Sequence, residues 1–362
     1  MTRFISELAG TLVPYVPGEQ PKDKKYVKLN TNENPCPPSQ AVLRAIQKET
    51  ENLRLYPDPN ADAAREAAAV YYNDTLSLSG DAALDRGNFF IGNGSDEILA
   101  FIYPTFFKGR ELAFPDITYS FYDVWAKLLK IPYVTKPLDN SFLIRPEDYF
   151  DNNGGIVFPN PNAPTCIYMP LNNVKSILDN NRDVVVIVDE AYIDYAGESA
   201  LTLINEYDNL LVVRTFSKSR SMAGLRIGYA MGNEKLIAAL NNVKFSFNSY
   251  TMNYLQIELG VCSVEDDEYF KEMITKVKNT REWFCKELIR LGFSFPESST
   301  NFVFATHERV PAADLFEAAK NEKIFLRYFD KPRIDNYLRI TIGTDEEMKK
   351  LIDFFDKYLL TY

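Results

Sequence analysis

The sequence is poor in the residues that histidine-based catalysis, metal sites and disulfide frameworks require. It contains one histidine, His307, and only four cysteines, with no short paired spacing between them. A single histidine argues against catalytic triads and histidine-ligated metal centres. The dispersed cysteines indicate reduced thiols in a reducing compartment rather than a zinc pattern or a disulfide framework.

Long apolar runs and an excess of positive charge are also missing. No run approaches the ~18 apolar residues of a membrane helix, and the N-terminus lacks the apolar core of a signal peptide. Lys and Arg total 40 against 50 Asp and Glu, a net charge of -10, which argues against a general surface for nucleic acid or anionic membrane. We therefore expect a cytoplasmic protein without nucleic-acid or membrane partners, in which any anion site is built locally.

The chain is rich in short apolar runs separated by segments long enough for a helix. With 362 residues, 46% of them hydrophobic, it can form roughly two domains. Short continuous apolar runs are typical of strands buried on both faces, so we predict an α/β fold with a mostly parallel seven-stranded sheet. The runs begin at Phe89, Glu111, Pro132, Gly155, Val184, Leu210 and Ile227.

The composition changes near residue 265. Residues 265–291 form a long amphipathic pattern that ends at Gly292, and Thr344 opens the last helix with a capping-box pattern. Between them lie three strand candidates, which begin at Phe293, Phe302 and Tyr337, and a helix over 311–320. We predict a smaller α+β domain at 265–362, joined by an N-terminal arm at 1–45, beside a large domain at 46–264.

The most informative stretch is residues 209–226, where an apolar run leads into a polar loop that carries Lys218. Lysine is a nucleophile only when its amine is neutral, and neighbouring cations such as Arg220 and Arg226 disfavour the ammonium. Lys218 is therefore a Schiff-base candidate. The common alternative is a solvated loop lysine.

Two further motifs lie at the carboxyl ends of strand candidates. Gly92-Asn-Gly-Ser-Asp-Glu97 feeds a helix N-terminus that could bind phosphate through its main chain, although a tight turn is the alternative. Asp189 ends the run that begins at Val184, at the sheet edge where ligands bind. Because no P-loop is present to share a Mg²⁺, a protonated pyridine nitrogen is the better partner for this carboxylate, with a structural role as the alternative.

Two loops between these motifs offer amides and rings. Residues 158–165 hold asparagines between prolines, and residues 115–122 bring aromatic side chains after a strand. Each loop taken alone is more typical of a turn or of packing than of a site.

Taken in order, these motifs resemble the fold-type I family of pyridoxal-phosphate (PLP) aminotransferases, from Leu29-Asn-Thr-Asn-Glu-Asn-Pro35 to Tyr337-Leu-Arg-Ile-Thr-Ile-Gly343. The resemblance implies that Lys218 binds the cofactor covalently and moves a proton, and that Asp189 pairs with its pyridine nitrogen. It assigns the ring hydroxyl to Tyr192 and Asn162, with Asn160 as a fallback. It assigns the rest of the cofactor site to Gly94, Ser95, Asp96, Ser217 and Arg226 for the phosphate and to Tyr119 for ring stacking.

The resemblance also implies a homodimer and an anionic substrate. Tyr56 is similar to a tyrosine that reaches the cofactor phosphate of the neighbouring subunit. Arg339 and Arg327 match arginines that bind the substrate anion, and Tyr15 and Asn34 are further substrate-side candidates. The implied reaction is transamination of L-histidinol phosphate with 2-oxoglutarate in histidine biosynthesis. Aromatic amino-acid transamination is the near alternative, and a non-catalytic phosphate- or nucleotide-binding module is an alternative of another class.

The sequence departs from the family in the 158–165 loop and just after it. The family commonly has Asn-Asn-Pro-Thr-Gly where this chain has Asn162-Ala-Pro-Thr-Cys166. Ala163 removes the asparagine before proline, and Cys166 lacks the freedom of glycine to adopt positive φ. We therefore expect this loop to lie differently.

Overall fold

The computed structural model describes residues 4–13, 18–21, 26–48, 51–150 and 154–361. Its helices and strands alternate through the first two thirds of the chain, as the sequence predicts. The helices are α1 Glu7–Thr11, α2 Gln40–Lys48, α3 Asp62–Leu76, α4 Ser95–Phe106, α5 Phe121–Leu129, α6 Leu171–Asp179, α7 Glu234–Phe247, α8 Tyr254–Glu265, α9 Asp267–Arg290, α10 Ala312–Asn321 and α11 Asp345–Leu359. The strands are β1 Val27–Lys28, β2 Phe89–Gly92, β3 Leu112–Pro115, β4 Tyr133–Lys136, β5 Ile156–Pro159, β6 Val186–Asp189, β7 Leu210–Thr215, β8 Gly228–Gly232, β9 Phe293–Ser294, β10 Phe302–His307, β11 Ile324–Phe325, β12 Arg327–Tyr328 and β13 Leu338–Thr341.

The predicted sheet is confirmed. All seven apolar runs form strands of one sheet in the order β2-β8-β7-β6-β5-β3-β4. The strands β4, β3, β5, β6 and β7 run parallel, and β8 is antiparallel to both of its neighbours. Crossover helices therefore cover both faces, and the active edge is the one where the parallel strands end.

Alternation along β7 shows why its first four residues are all apolar. Leu210 and Val212 pack into one core, and Leu211 and Val213 pack into the core on the opposite face of the sheet. Because side chains alternate across a strand, a strand with helices on both sides needs apolar residues at every position.

The C-terminal part forms a separate antiparallel sheet in the order β12-β13-β10-β9, covered by α9, α10 and α11. The predicted apolar face of α9 is buried, as is that of α11, whose N-terminal capping box joins Thr344 to Glu347. Val27 and Leu29 pack in this core, and β1 pairs in parallel with β11. The domain boundaries at residues 45 and 264 stay a prediction.

A small apolar cluster joins the two sheets. Ile117 and Tyr192, which follow β3 and β6, pack there with Phe302 and Phe304 of β10 and with Ile334. This cluster brings the carboxyl edge of the large sheet against the C-terminal sheet. Within the described ranges, no helix combines the length and the hydropathy needed to span a bilayer.

Candidate active site

A cavity of about 480 Å³ opens at the carboxyl ends of the parallel strands and extends toward the C-terminal sheet. It brings together side chains from segments far apart in the sequence. Ten of the predicted site residues line it: Ser95, Asp96, Tyr119, Asp189, Tyr192, Ser217, Lys218, Arg226, Arg327 and Arg339.

Lys218 lies three residues beyond the end of β7, and its amine faces this cavity. Nζ is 5.6 Å from the centre of the Tyr192 ring and 3.5 Å from the carbonyl oxygen of Thr31. Arg220 points elsewhere, because its guanidinium lies 4.0 Å from the ring centre of Phe270 and donates to a carbonyl of α8. The cation that shares the cavity with Lys218 is therefore Arg226 rather than Arg220.

Asp189 ends β6 with its carboxylate buried, at 4% exposure. Its Oδ2 accepts a 2.9 Å hydrogen bond from the Tyr122 hydroxyl, and its Oδ1 accepts a 3.2 Å bond from the amide of Ala191. Burial raises the pKa of Asp189 to about 6, although both hydrogen bonds and the nearby Lys218 amine act in the opposite direction. A carboxylate held in this way is strongly stabilised when a cation is placed beside it.

An anion-binding corner lies at the N-terminus of α4. Gly94 caps the helix with φ of +86°, and Arg226 donates to Ser217 Oγ at 3.1 Å. A Cβ on Gly94 would lie 2.6 Å from Arg226 Nη2, so glycine is required for the close approach of this guanidinium. Free helix amides, a hydroxyl and a guanidinium together suit a phosphate group.

The acidic side chains of this turn accept hydrogen bonds of their own. Asp96 accepts a hydrogen bond of 2.6 Å from the Tyr119 hydroxyl and lies 3.5 Å from Arg226. Glu97 accepts one of 2.6 Å from the amide of Asn93. Asp96 therefore fixes Tyr119 at the cavity wall.

Tyr192 is held in place by a chain of hydrogen bonds. The Asn32 amide donates to its hydroxyl at 2.8 Å, and Thr341 donates to Asn32 Oδ1 at 3.1 Å. The N-terminal segment and β13 thus fix the position of a phenol from the large sheet.

Asn162 and Asn160 serve the loop rather than the cavity wall. Asn162 donates to the Ile117 carbonyl at 3.0 Å and to Thr165 Oγ1 at 2.9 Å. Asn160 exchanges two hydrogen bonds with the main chain of Met169. Neither residue lines the cavity, so the ring-hydroxyl contact predicted for Asn162 stays a prediction.

Cys166 adopts the backbone conformation expected of the glycine that it replaces. Its φ is +62°, and its thiol is fully buried. Burial raises the pKa of this thiol to about 12. The Asn162 carbonyl still accepts the Cys166 amide at 2.8 Å. The tight turn is thus retained at the cost of placing a side chain in the left-handed region.

The C-terminal wall carries two arginines and an aromatic ring. Arg339 donates to the Asn30 carbonyl at 2.8 Å and lies 5.6 Å from the ring centre of Phe329. Arg327 lies 5.3 Å from the same ring. Both guanidiniums and the ring line the cavity with Lys218, so an anionic group of a substrate can be bound there.

Asn34 and Tyr56 do not line the cavity either. Asn34 donates to the carbonyl of Ser219, next to Lys218, at 3.0 Å, so it supports the lysine loop. Tyr56 is 83% exposed and stacks on Tyr250, with 4.7 Å between ring centres. Tyr15 lies outside the described residues.

Several contributors were missed from the sequence. Tyr122 lies in the aromatic segment that begins at Pro115, and Thr31 and Asn32 lie in the Leu29–Pro35 motif, but no spacing rule singles them out. Phe329 follows Arg327 by two residues, and this alternation along a strand is the one signal that could have placed both on the same wall.

Comparison with known proteins agrees with this geometry. The family model "Aminotransferase class I and II" matches residues 24–355. The chain belongs to this family. It is therefore an enzyme, an aminotransferase that uses PLP, and the alternative of a non-catalytic binding module is wrong.

Similar proteins carry a more specific name. The histidinol-phosphate aminotransferase of Clostridium botulinum strain 657 is 50% identical over 355 residues, with 98% of each chain covered. That of Brachyspira hyodysenteriae is 48% identical over 363 residues, with 99% of each covered. The crystal structure of histidinol-phosphate aminotransferase from Sinorhizobium meliloti in complex with pyridoxal-5'-phosphate has a TM-score of 0.85, 22% identity, and covers 100% of this chain and 99% of that one. The last of these confirms the fold.

The residues around the cavity fit the cofactor. PLP carries an aldehyde, a pyridine nitrogen and a phosphate, and the cavity offers an amine at Lys218, a buried carboxylate at Asp189 and an anion-binding corner at Gly94 and Arg226. Burial raises the pKa of Asp189, and a pyridinium placed beside this carboxyl would offset that effect.

Proposed function

We propose that this aminotransferase moves the amino group of L-histidinol phosphate to 2-oxoglutarate, forming imidazole-acetol phosphate and L-glutamate. The observation that carries the proposal is the position of Arg327 and Arg339 on the wall of the cavity that contains Lys218. A guanidinium binds a phosphate or a carboxylate with two parallel hydrogen bonds, so one wall can accept both substrates in turn. The names of the relatives at about 50% identity support the same substrate.

Each residue of the cavity has a proposed task. Bound PLP supplies the electron sink that makes the substrate α-proton acidic. Nζ of Lys218 binds the cofactor and then carries the proton between the substrate α-carbon and the cofactor. Asp189 stays ionised and holds the pyridine nitrogen, and the Tyr192 hydroxyl bonds the ring hydroxyl. The main chain at 94–96, Ser217 and Arg226 hold the phosphate, and Tyr119 covers the ring.

The proposal includes a homodimer in which Tyr56 completes the partner's site. Tyr56 and Tyr250 form a stacked pair at the surface. Phe247, which precedes Tyr250 by three positions, is 81% exposed. Leu53 and Leu55 are also exposed on the same loop. Such apolar side chains mark an interaction surface, and a second copy of this chain is the occupant that would use Tyr56.

We also place the enzyme in the cytoplasm. Cys36 and Cys166 are buried thiols that form no disulfide. Such thiols are typical of a reducing compartment.

The donor is tested by single half-reactions. The wild-type enzyme loaded with PLP is mixed separately with histidinol phosphate, phenylalanine and glutamate, and conversion of the cofactor to its amine form is followed by absorbance. We expect rapid conversion by histidinol phosphate and by glutamate. Rapid conversion by phenylalanine with none by histidinol phosphate would replace the proposed donor with an aromatic amino acid.

The role of Lys218 is tested separately. Lys218→Ala should remove both transamination and the borohydride-reducible link to PLP, because Lys218 is the one lysine among the described residues that line the cavity. A Lys218→Ala protein that still transaminates at the wild-type rate would overturn the assignment.

A further inference from the structure

The loop between β12 and β13 carries the substrate side of the cavity. Phe329 lies at its start, and Arg327 and Arg339 lie on the two strands that it connects. The loop is folded on itself by three main-chain hydrogen bonds, among them the Tyr337 amide to the Ile334 carbonyl at 3.1 Å. Ile334 is buried in the cluster that joins the two sheets.

Arg333, from the middle of this loop, reaches across to the large sheet. Its Nη1 donates to Asp116 Oδ2 at 3.1 Å, and its Nη2 donates to the carbonyls of Leu138 and Asp139 at 2.8 and 2.7 Å. The guanidinium also lies 5.7 Å from the ring centre of Phe142. Residues 217 positions apart in the sequence are thus joined by one side chain.

Asp116 links this contact to the cofactor side of the cavity. It follows β3 directly, and its Oδ1 accepts the amides of Ile117 and Leu138 at 2.8 and 2.9 Å. Residues 118–120, which follow Ile117, line the cavity and include Tyr119, the residue proposed to cover the cofactor ring. Arg333 and Asp116 therefore connect the wall with the two arginines to the wall that holds the ring.

Surface ion pairs usually contribute little, and Arg333 is 37% exposed. This pair differs from an ordinary surface pair because it connects two elements that are far apart in the sequence. Arg145 and Asp148 form an even closer exposed pair, at 2.7 Å, but they are three residues apart in the sequence. That pair therefore links only neighbouring residues, whereas Arg333 links the large sheet to the loop that connects the strands of Arg327 and Arg339.

We propose that Arg333 is a positioning residue, which with Asp116 fixes Arg327, Phe329 and Arg339 at the distance from the cofactor that the substrates require. This inference rests on the proposed function, since it assumes that both substrates place an anion on that wall. Without the contact between Arg333 and Asp116, the loop must be ordered when the substrate binds, and the free-energy cost of that ordering weakens substrate binding. Both anionic substrates are affected alike, because they use the same arginines.

The test compares Arg333→Met with Arg145→Met in the holoenzyme. For Arg333→Met we expect the KM for histidinol phosphate and for 2-oxoglutarate to rise together, by about 5- to 20-fold, with kcat within about threefold of wild type. Arg333→Lys, which keeps the charge but not the forked geometry, should give intermediate values. Arg145→Met should match the wild type in both constants.

A second readout needs no catalysis. In cofactor-free protein, amide hydrogen exchange of residues 329–337 should be faster in Arg333→Met than in wild type and unchanged in Arg145→Met. The affinity for PLP without substrate should stay within about twofold. In the double variant with Asp116→Asn, the rise in KM should be less than the product of the two single effects.

Three results would overturn the proposal: a wild-type KM for both substrates in Arg333→Met, a fall in kcat with KM unchanged, or unchanged exchange in the loop. Failure of the proposed donor has a different signature. If wild-type enzyme reacts with glutamate but not with histidinol phosphate, the proposed donor is wrong. The positioning role of Arg333 is then tested by the KM for glutamate and by the hydrogen-exchange data.

Discussion

The Tyr122 hydroxyl donates a 2.9 Å hydrogen bond to Asp189 Oδ2, and both side chains are buried below the floor of the cavity. The bond stabilises the ionised carboxylate, whereas burial raises the pKa of Asp189 to about 6. Burial and the nearby charge of Asp189 also raise the pKa of Tyr122, so the phenol keeps its proton and remains a donor. Tyr122 therefore helps to keep Asp189 ionised, the state in which we propose that it pairs with the cofactor.

Replacing Tyr122 by Phe should weaken PLP binding by about tenfold or more, the value of a hydrogen bond to a charged group. Without this donor the pKa of Asp189 rises further, so the defect should be larger at pH 6.5 than at pH 8.5, where the carboxyl is ionised in both proteins. PLP titrations at the two pH values measure this. Tyr149→Phe is the control, because it removes a buried hydroxyl that has no partner among the described residues. An equal loss at both pH values would contradict the argument.

The charge of Asp189 should also limit the stability of the cofactor-free protein. A carboxyl whose pKa rises from 3.8 to about 6 on folding binds more protons in the folded state, so stability falls as pH rises through this window and stays low above it. Asp189→Asn removes this penalty. Unfolding in urea should show the variant more stable by about 3 kcal/mol at pH 7.5 but only by about 1 kcal/mol at pH 4.5. A stability difference that does not change between these pH values would refute the prediction.

Gly94 offers a test of the phosphate corner with a matched control. Gly94 and Gly109 both have positive φ, at +86° and +78°, but a Cβ on Gly109 would meet no atom within 4 Å, whereas one on Gly94 would clash with Arg226. Each change to Ala should lower stability by about 1 kcal/mol through backbone strain. Only Gly94→Ala should also weaken PLP binding, by at least about tenfold, because it displaces the Arg226 guanidinium. Equal PLP affinities for the two variants would remove Arg226 from the phosphate site.

The fold could be predicted from the sequence because strands that are buried on both faces appear in it as short continuous apolar runs. The strand at Leu210 opens with four apolar residues that alternate between two cores, and Thr344 marks its helix start by local capping chemistry. Asp189 and Lys218 both line the cavity because Asp189 ends one such strand and Lys218 lies three residues beyond another.

The rest of the site depends on contacts that no local pattern encodes. Tyr122 meets Asp189 across 67 positions, and Asn32 meets Tyr192 across 160. Asn34 was expected on the substrate side, but its amide supports the backbone beside Lys218. Sequence shows that Cys166 replaces a glycine, yet only the surrounding packing shows that the cysteine accepts φ of +62°.

The proposed role of Tyr56 can be tested by mixing two defective chains. A Lys218→Ala homodimer should be inactive, and a Tyr56→Ala homodimer should be poorly loaded at low PLP concentration. In a mixed dimer, the chain with native Lys218 receives native Tyr56 from its partner, so one site is complete. Random pairing of equal amounts makes half of the dimers mixed, and about a quarter of the wild-type sites should return.

The arrangement of the two changes supplies the control for this experiment. When both substitutions are placed in one chain and that chain is mixed with wild type, each native Lys218 in a mixed dimer faces a partner without Tyr56, so no mixed dimer has a complete site. If Tyr56 acted within its own chain, the outcome would be reversed: the single variants would not complement, and wild-type chains would keep full activity in mixed dimers. Because Tyr56 lies outside the cavity of its own chain and is 83% exposed, we expect complementation between the single variants and loss of activity with the double variant.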